Sequence, residues 1–542
     1  MRKFIAVCVV IFLCFAISVS IVRAQSFTVN VGQPSTSTFY GTFLGFGAEW
    51  DPFLFNTNNL NRGVTEADWT LVTQRLKDLN VGVIRLMMQL NWATSDPNLV
   101  NWNYNSQQMQ SVFKYLDFAC QNNITVILTD WGWSVRNSLY ANPTDARFGT
   151  GIAMYLDEFI NKRGYTCIKY LVVGNEPDNE IQLQYGMDAY ETMYRNVDAA
   201  LKAKGIRNLV KLTGPDMGGQ WSFMQDAVSR LHDILDTYDF HRYASTEETG
   251  NFNLPGTWES LWSHLDMWRG QVNSRDTNAS GKQVLLTEMG NAGGSTNSHP
   301  AIDTFDYALH MADYGTTILT TRVNTGIAWC MHDVYYFDGG QFMQWGMWKY
   351  KNDNWQLRPW AQSFGLLIKH APPGSIQAPI NGTPAQTPAL SQYRAAAVKR
   401  PDGKWSIFLV NRTTSPVTMT VNLPTAPQAN FDRYVFDRNT YAAHPNQIAL
   451  SPTGTVNAAS QLVISIPGET FYVLAEQTGT GTSPCPSATN DVNGDCQVNG
   501  ADIVLLVTNW LRGNCTQMNC DLTGDGKINV FDFGKIAAAL LN

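Results

Sequence analysis

Two glutamates carry the chemistry that this sequence can do. Glu176 sits in "YLVVGNEPDNE", where an apolar run stops at Gly174 and Asn175-Glu176-Pro177 follows at once. Glu288 sits in "LLTEMG", where another apolar run turns polar. A carboxylate at the end of a buried strand is costly and points to a working group. Two that face each other can split a glycosidic bond. One donates a proton to the leaving oxygen, and the other attacks the anomeric carbon or activates water. Pro177 fixes the chain just after Glu176, and Asn175 offers an amide to a sugar hydroxyl. Glu180 is a rival acid, but it lies beyond Pro177 on the loop.

The two acids are far apart in sequence, so the fold must bring them together. Eight runs begin apolar and end polar or aromatic: "FLGFGAEW", "VGVIRLMMQLNW", "ITVILTDWGW", "IKYLVVGNEP", "VKLTGPDM", "LDTYDFHRY", "KQVLLTEMG" and "GIAWCMHDVYY". Amphipathic stretches such as Asp68–Leu79 and Asp188–Ala203 lie between several of them. Eight strand–helix units predict an α/β fold, a (β/α)8 TIM barrel of parallel strands over residues 25–372. Its functional residues gather where strands exit at the C-terminal face. Glu176 then ends strand four and Glu288 ends strand seven. From about Pro373 short alternating strands predict a small β-sandwich over 373–476, and the early "SFTVNV" adds a strand to it. A linker rich in Gly, Thr, Ser and Pro spans 477–490. The last segment, 491–542, is an internal repeat: "DVNGDCQVNGAD" from Asp491 and "DLTGDGKINVFD" from Asp521, each followed by an apolar helical stretch.

Composition narrows the partners. A net charge of −7 argues against nucleic acid as the main one. Only 15% of residues are charged while 17 are Trp, which suits sugar rings with apolar C–H faces or, equally, a Trp-packed core. At the N-terminus Arg2 and Lys3 precede an apolar stretch that ends in Val22-Arg23-Ala24. This is the pattern of a secretory signal peptide, residues 1–24; an uncleaved anchor is the alternative. No later segment is expected to span a membrane. Cys485, Cys496, Cys515 and Cys520 cluster in the tail and predict two disulfides, with three possible pairings. Cys120, Cys167 and Cys330 are scattered and read as small buried apolar residues.

The Asn175-Glu176-Pro177 and Glu288 pattern resembles clan A of the glycoside hydrolases, and the barrel with an appended sandwich is similar to families 30 and 39. The resemblance implies Glu176 as acid/base and Glu288 as nucleophile. Arg85 in "VIRL" matches an arginine that orients the nucleophile. His241 and Tyr243 in "FHRY" match groups around it, and Trp329 in "GIAW" matches a tryptophan under the reacting sugar. Glu49 and Asp51 end strand one, placed either to hold substrate hydroxyls or to form a loop salt bridge. Trp131, Trp133, Trp345 and Trp348 are candidate sugar platforms or packing residues.

The tail repeat carries alternating oxygen ligands on a tight loop, the shell that Ca²⁺ prefers. In the first copy these are Asp491, Asn493, Asp495, Asn499 and Asp502, with the Gln497 carbonyl. In the second they are Asp521, Thr523, Asp525, Asn529 and Asp532, with the Lys527 carbonyl. The position-12 Asp and Cys496 depart from an EF-hand. The duplicated loop–helix resembles a type I dockerin, although the four cysteines depart from the usual pattern. That resemblance implies structural calcium and a cohesin-bearing scaffold as partner. The whole reads as a secreted retaining glycoside hydrolase acting on a polysaccharide, extracellular or held at a scaffold or cell surface. An exo-acting β-glycosidase and a non-catalytic carbohydrate-binding subunit are the alternatives.

Overall fold

The computed structural model describes residues 25–131, 139–179, 181–245, 260–336, 340–381, 393–478 and, in the tail, 503, 506–507, 510, 522–523 and 527–540. The signal-peptide segment 1–24, Trp133, Glu180, the four tail cysteines and their pairing lie outside the described residues. So do the calcium-ligand candidates Asp491, Asn493, Asp495, Gln497, Asn499, Asp502, Asp521 and Asp525. The chain forms two compact units, Met1–Glu476 and Gln477–Asn542.

Eight parallel strands close a barrel in chain order: Phe46–Glu49, Val83–Met88, Thr125–Asp130, Ile168–Val173, Lys211–Met217, Thr237–Ala244, Val284–Asn291 and Gly326–Ala328. Phe46 pairs with Gly326 to join the first strand to the last. The strands are buried along nearly their whole length, as a parallel sheet covered on both faces requires. The expected stretch Asp68–Leu79 lies in helix Glu66–Leu79, entered by a capping box between Thr65 and Asp68. The stretch Asp188–Ala203 lies within Ile181–Ala203, which is interrupted at Gly186, where φ is 77°.

The barrel is followed by two further sheets. One has six strands, from Ile376–Gln377 to Thr470–Glu476. The other has four and takes in the N-terminal strand Gln25–Val31, which runs parallel to Val417–Asn422. A buried Asp313 on helix Phe305–Ile318 pairs with Arg394 and Arg412 at 3.0 and 2.9 Å, tying the barrel's outer layer to the six-stranded sheet.

Two of the three scattered cysteines are not free buried apolar residues. Cys120 and Cys167 form a disulfide, with Cα atoms 5.0 Å apart. Cys120 ends the helix before strand three, and Cys167 precedes strand four. Neighbouring strands bring those two entry points together. Cys330 is buried, as expected, and has no disulfide partner among the described residues.

In the second unit, helix Val530–Leu540 places Ile536 against Ile528 and Leu506, so residues from both repeat copies share one small core. No described helix is long and apolar enough to cross a membrane.

Candidate active site

Strand ends deliver the acids to one place. One oxygen each of Glu176 and Glu288 and a ring nitrogen of His241 lie within 4.8 Å of one another. Both acids line a pocket of about 520 Å³ with Asn175, Tyr243, Trp131, Trp329, Tyr336, Met343, Trp345 and the turn Ala292–Thr296. The Trp329–Cys330 peptide is cis, and the Trp329 indole N–H points at the Met343 sulfur, 3.4 Å away.

Behind the pocket, Arg85 is fully buried and spends its donors on the site. It donates to Glu288 Oε2 at 3.0 Å, Glu49 Oε2 at 2.8 Å, Asn175 Oδ1 at 2.8 Å, Asp216 Oδ2 at 2.7 Å and Thr129 Oγ1 at 3.1 Å. A guanidinium matches this radial demand, because its donors lie in one rigid plane. Tyr243 donates to the other oxygen of Glu288, Oε1, at 2.5 Å. Both Glu288 oxygens are therefore held.

His241 bridges the acids. Its Nε2 meets Asp216 Oδ1 at 3.0 Å, and its Nδ1 meets Glu176 Oε1 at 3.0 Å and Glu288 Oε2 at 3.4 Å. Burial opposes charge on the ring, but Asp216 and Glu288 outweigh it and hold the imidazole well above its ordinary pKa. The Asp216 carboxyl is buried, yet Arg85 and His241 hold it well below the usual carboxylate range.

Glu176 is also held low, because the His241 hydrogen bond and charge outweigh its burial. Glu288 is pushed up, by burial first and by the Glu176 charge; His241, Arg85 and Tyr243 pull against this. The directions are opposite to those expected of an acid and a nucleophile taken singly. Linked by His241, the two carboxyls titrate as a unit, and the resting proton sits on the imidazole between them.

More acids than cations share this space, so some must stay neutral. Burial and the Asp216 charge raise Asp239, and burial and Asp51 raise Glu49.

The loop carrying Glu176 is shaped by the end of strand five. Glu176 has φ 44°, a left-handed conformation that is unfavourable for a residue with a Cβ. Its N–H donates to the Asp216 carbonyl at 3.1 Å, and its own carbonyl accepts from Asn179 N at 2.9 Å. Asp178 is fully buried and accepts from Gly218 N, Gly219 N and Gln220 N at 2.8, 2.9 and 2.8 Å. These amides immediately precede helix Trp221–Leu231, so the carboxylate ties the Glu176 loop to the approach to that helix. Gly218 is packed so tightly that a Cβ there would lie 2.7 Å from the Glu176 carboxyl carbon.

Glu176, Glu288, Asn175, Tyr243, Trp131, Trp329 and Trp345 reach the pocket. Arg85, His241 and Glu49 lie beneath it. Glu49 is 1% exposed and engages Arg85, so it braces the arginine instead of meeting a sugar hydroxyl. Asp51 is equally buried and accepts from Tyr336 at 2.6 Å. Trp348 is fully buried and packs under Arg75, which removes it as a platform. Asp216, Asp178, Gly218 and Tyr336 also shape the site, beyond the sequence expectations. Asp216 was visible as a charged residue at the end of an apolar run, the same signal that marks Glu176.

In the tail, Asp532 is fully buried. Its Oδ1 accepts from Thr523 N at 2.9 Å and from Thr523 Oγ1 at 3.1 Å, and its Oδ2 accepts from Asn529 N at 2.8 Å. The described part of the second loop thus folds around a buried carboxylate with oxygen groups beside it, a donor set that fits a hard cation.

Comparison with known proteins agrees with this geometry. Residues 47–337 match the model for cellulase, glycosyl hydrolase family 5, and residues 489–541 match the type I dockerin domain. Among curated proteins there is no match. Among solved structures, a family 30 endoxylanase from Clostridium papyrosolvens C71 is similar with a TM-score of 0.56 at 14% identity, covering 84% of this chain and 100% of its own. The catalytic domain of family 30 xylanase C from Talaromyces cellulolyticus gives 0.57 at 15%, with the same coverage. A family 39 β-xylosidase from Caulobacter crescentus gives 0.53 at 13%, again over 84% and 100%. At such identities the likeness is one of fold, and it takes in the sandwich as well as the barrel. The family model covers more than half of the chain, and the chain belongs to the cellulase family of glycoside hydrolases, family 5, with a type I dockerin at its C-terminus.

Proposed function

We propose that this glycoside hydrolase cleaves a β-linked polysaccharide with retention of configuration, Glu288 acting as nucleophile and Glu176 as acid/base. The approach of the two acids carries the reading. Oxygens within 4.8 Å suit a retaining pair, whereas an inverting pair stands roughly 6.5–9.5 Å apart to admit a water. Glu288 attacks the anomeric carbon as the bond to the leaving oxygen breaks, and Glu176 protonates that oxygen. The proton that Glu176 delivers comes from the His241 imidazolium, 3.0 Å away, so Glu176 is left as a carboxylate and His241 neutral. In the second half Glu176 takes a proton from water, whose oxygen opens the glycosyl ester at Glu288. Arg85 and Tyr243 hold the carboxylate in line throughout.

The pocket walls are Trp131, Trp329, Trp345 and Tyr336, aromatic faces suited to sugar C–H faces. Two similar structures are named for xylan chemistry, so xylans come first in a substrate screen with β-glucans and mannans. Residues 1–24 act as the export signal, 477–490 as a linker, and 491–542 as the tether to a cohesin-bearing scaffold. Asp532, Thr523, Asn529 and the Lys527 carbonyl, with Asp521 and Asp525, hold one structural Ca²⁺; Asp491, Asn493, Asp495, Asn499, Asp502 and the Gln497 carbonyl hold another.

Substitution tests the roles. Glu288→Gln should lower turnover by several orders of magnitude, since Glu288 supplies the carboxylate that forms the ester. Glu176→Ala should keep activity on aryl glycosides with good leaving groups, and azide should raise it. Near-normal activity in Glu288→Gln would overturn the assignment.

A further inference from the structure

We propose that a second sugar-binding subsite, built on Trp92 and Asn56, lies beside the catalytic pocket and grips the polysaccharide chain away from the bond that is cut. This rests on the glycosidase reading above. The site is a separate cavity of about 280 Å³ lined by Asn56, Thr57, Asn58, Trp92 and Gln108. Its residues come from the segments after barrel strands one and two, the C-terminal face that also carries Glu176 and Glu288.

Direct contacts link the linings of the two cavities. Tyr336 lines the catalytic pocket, and its carbonyl accepts from Asn58 Nδ2 at 2.6 Å. The Phe53 ring lies 4.6 Å from the Tyr336 ring and 5.8 Å from the Trp92 ring, and Tyr336 lies 5.8 Å from Trp131. An aromatic path thus runs from the catalytic platform Trp131 to Trp92.

The chemistry of the second cavity suits a neutral sugar. Trp92 is half-buried and offers an indole face for stacking. None of the five lining side chains is charged. Asn56 is 3% exposed, and its Oδ1 already accepts from Asn59 N and Asn59 Nδ2 at 2.9 and 3.0 Å. Its Nδ2 is a buried donor with no partner among the described residues. Such a donor is costly to leave unmet, and a sugar hydroxyl is an acceptor of the right kind. An occupied second cavity makes the enzyme a binder of chains rather than of single sugars, which favours the endo mode.

The test compares long and short substrates on the full-length protein. Xylohexaose and cellohexaose are the chains, and the matching nitrophenyl β-glycosides are the single-sugar probes. For Trp92→Ala the ratio of kcat/KM on the hexaose to kcat/KM on the aryl glycoside should fall at least tenfold, mostly through KM. Asn56→Ser keeps the helix-capping oxygen, removes the amide donor, and should move the ratio in the same direction. It is read alone if Trp92→Ala does not fold. An unchanged ratio in a folded variant overturns the subsite. Wild-type protein that cleaves none of these substrates, nor mannohexaose and its aryl β-mannoside, overturns the glycosidase reading instead.

Discussion

Glu288 must be ionised to attack, yet burial and the Glu176 charge push its carboxyl above the usual glutamate range. The sign follows. A nucleophile with a raised pKa loses activity as pH falls at a higher pH than an ordinary glutamate would, so the acid limb of kcat/KM should lie above the usual carboxylate range. Tyr243→Phe removes one of the donors that hold the pKa down, and the limb should move to still higher pH. A hydrogen bond to a charged group contributes about 1.5–3 kcal/mol, so kcat/KM at neutral pH should fall roughly 10–100-fold. A pH–rate profile checks both; a limb that moves down would contradict the role. Both glutamates were legible as carboxylates at the ends of apolar runs, whereas Arg85, His241 and Tyr243 came from the clan A resemblance. Asp216 carries the same signal at the end of "VKLTGPDM", but its role does not show there. Its meaning comes from contacts with Arg85 and His241, which are distant in sequence. Glu49 was half-legible: its position at a strand end was plain, but not that it faces the arginine beneath.

The eight strands were legible from apolar runs alone, and so were the main strands of the sandwich. The connections between them were harder to read. The two-stranded ribbon of Val334–Tyr335 and Phe342–Met343 carries too few residues to show a period. The disulfide was missed because Cys120 and Cys167 meet only once strands three and four are laid side by side. At the element scale the most informative contact is the one between the end of strand five and the Glu176 loop. A Cβ at position 218 would meet the carboxyl of Glu176, the far end of a movable side chain, and not backbone. Gly218→Ala should therefore displace the acid at little cost to stability. The expected outcome is a fall of about 10²-fold in kcat on substrates with poor leaving groups, since catalysis is sensitive to ~1 Å misplacement. Activated aryl glycosides, which need little proton assistance, should be affected far less. Equal losses on both substrates, or a large drop in melting temperature, would mean that the loop itself is disturbed.

The barrel and sandwich share one compact unit, and the tail is a second. That division predicts independent responses to metal. Carboxylates gathered on a calcium loop repel one another without the ion, so chelation should melt the tail and leave hydrolysis by the first unit intact. Calorimetry on the full chain should find two calcium sites, and Asp532→Ala should lose one of them. A stoichiometry of zero would remove the calcium reading. The tail repeat was legible as a pattern of spaced oxygen ligands, whereas the shared core of Leu506, Ile528 and Ile536 required both copies to be folded together. The account as a whole stands on Glu176 and Glu288 acting as a double-displacement pair. The most direct measurement is proton NMR of the first product released from a β-linked substrate, recorded before mutarotation. The account predicts a β-anomer, with configuration retained; an α-anomer as first product would contradict it.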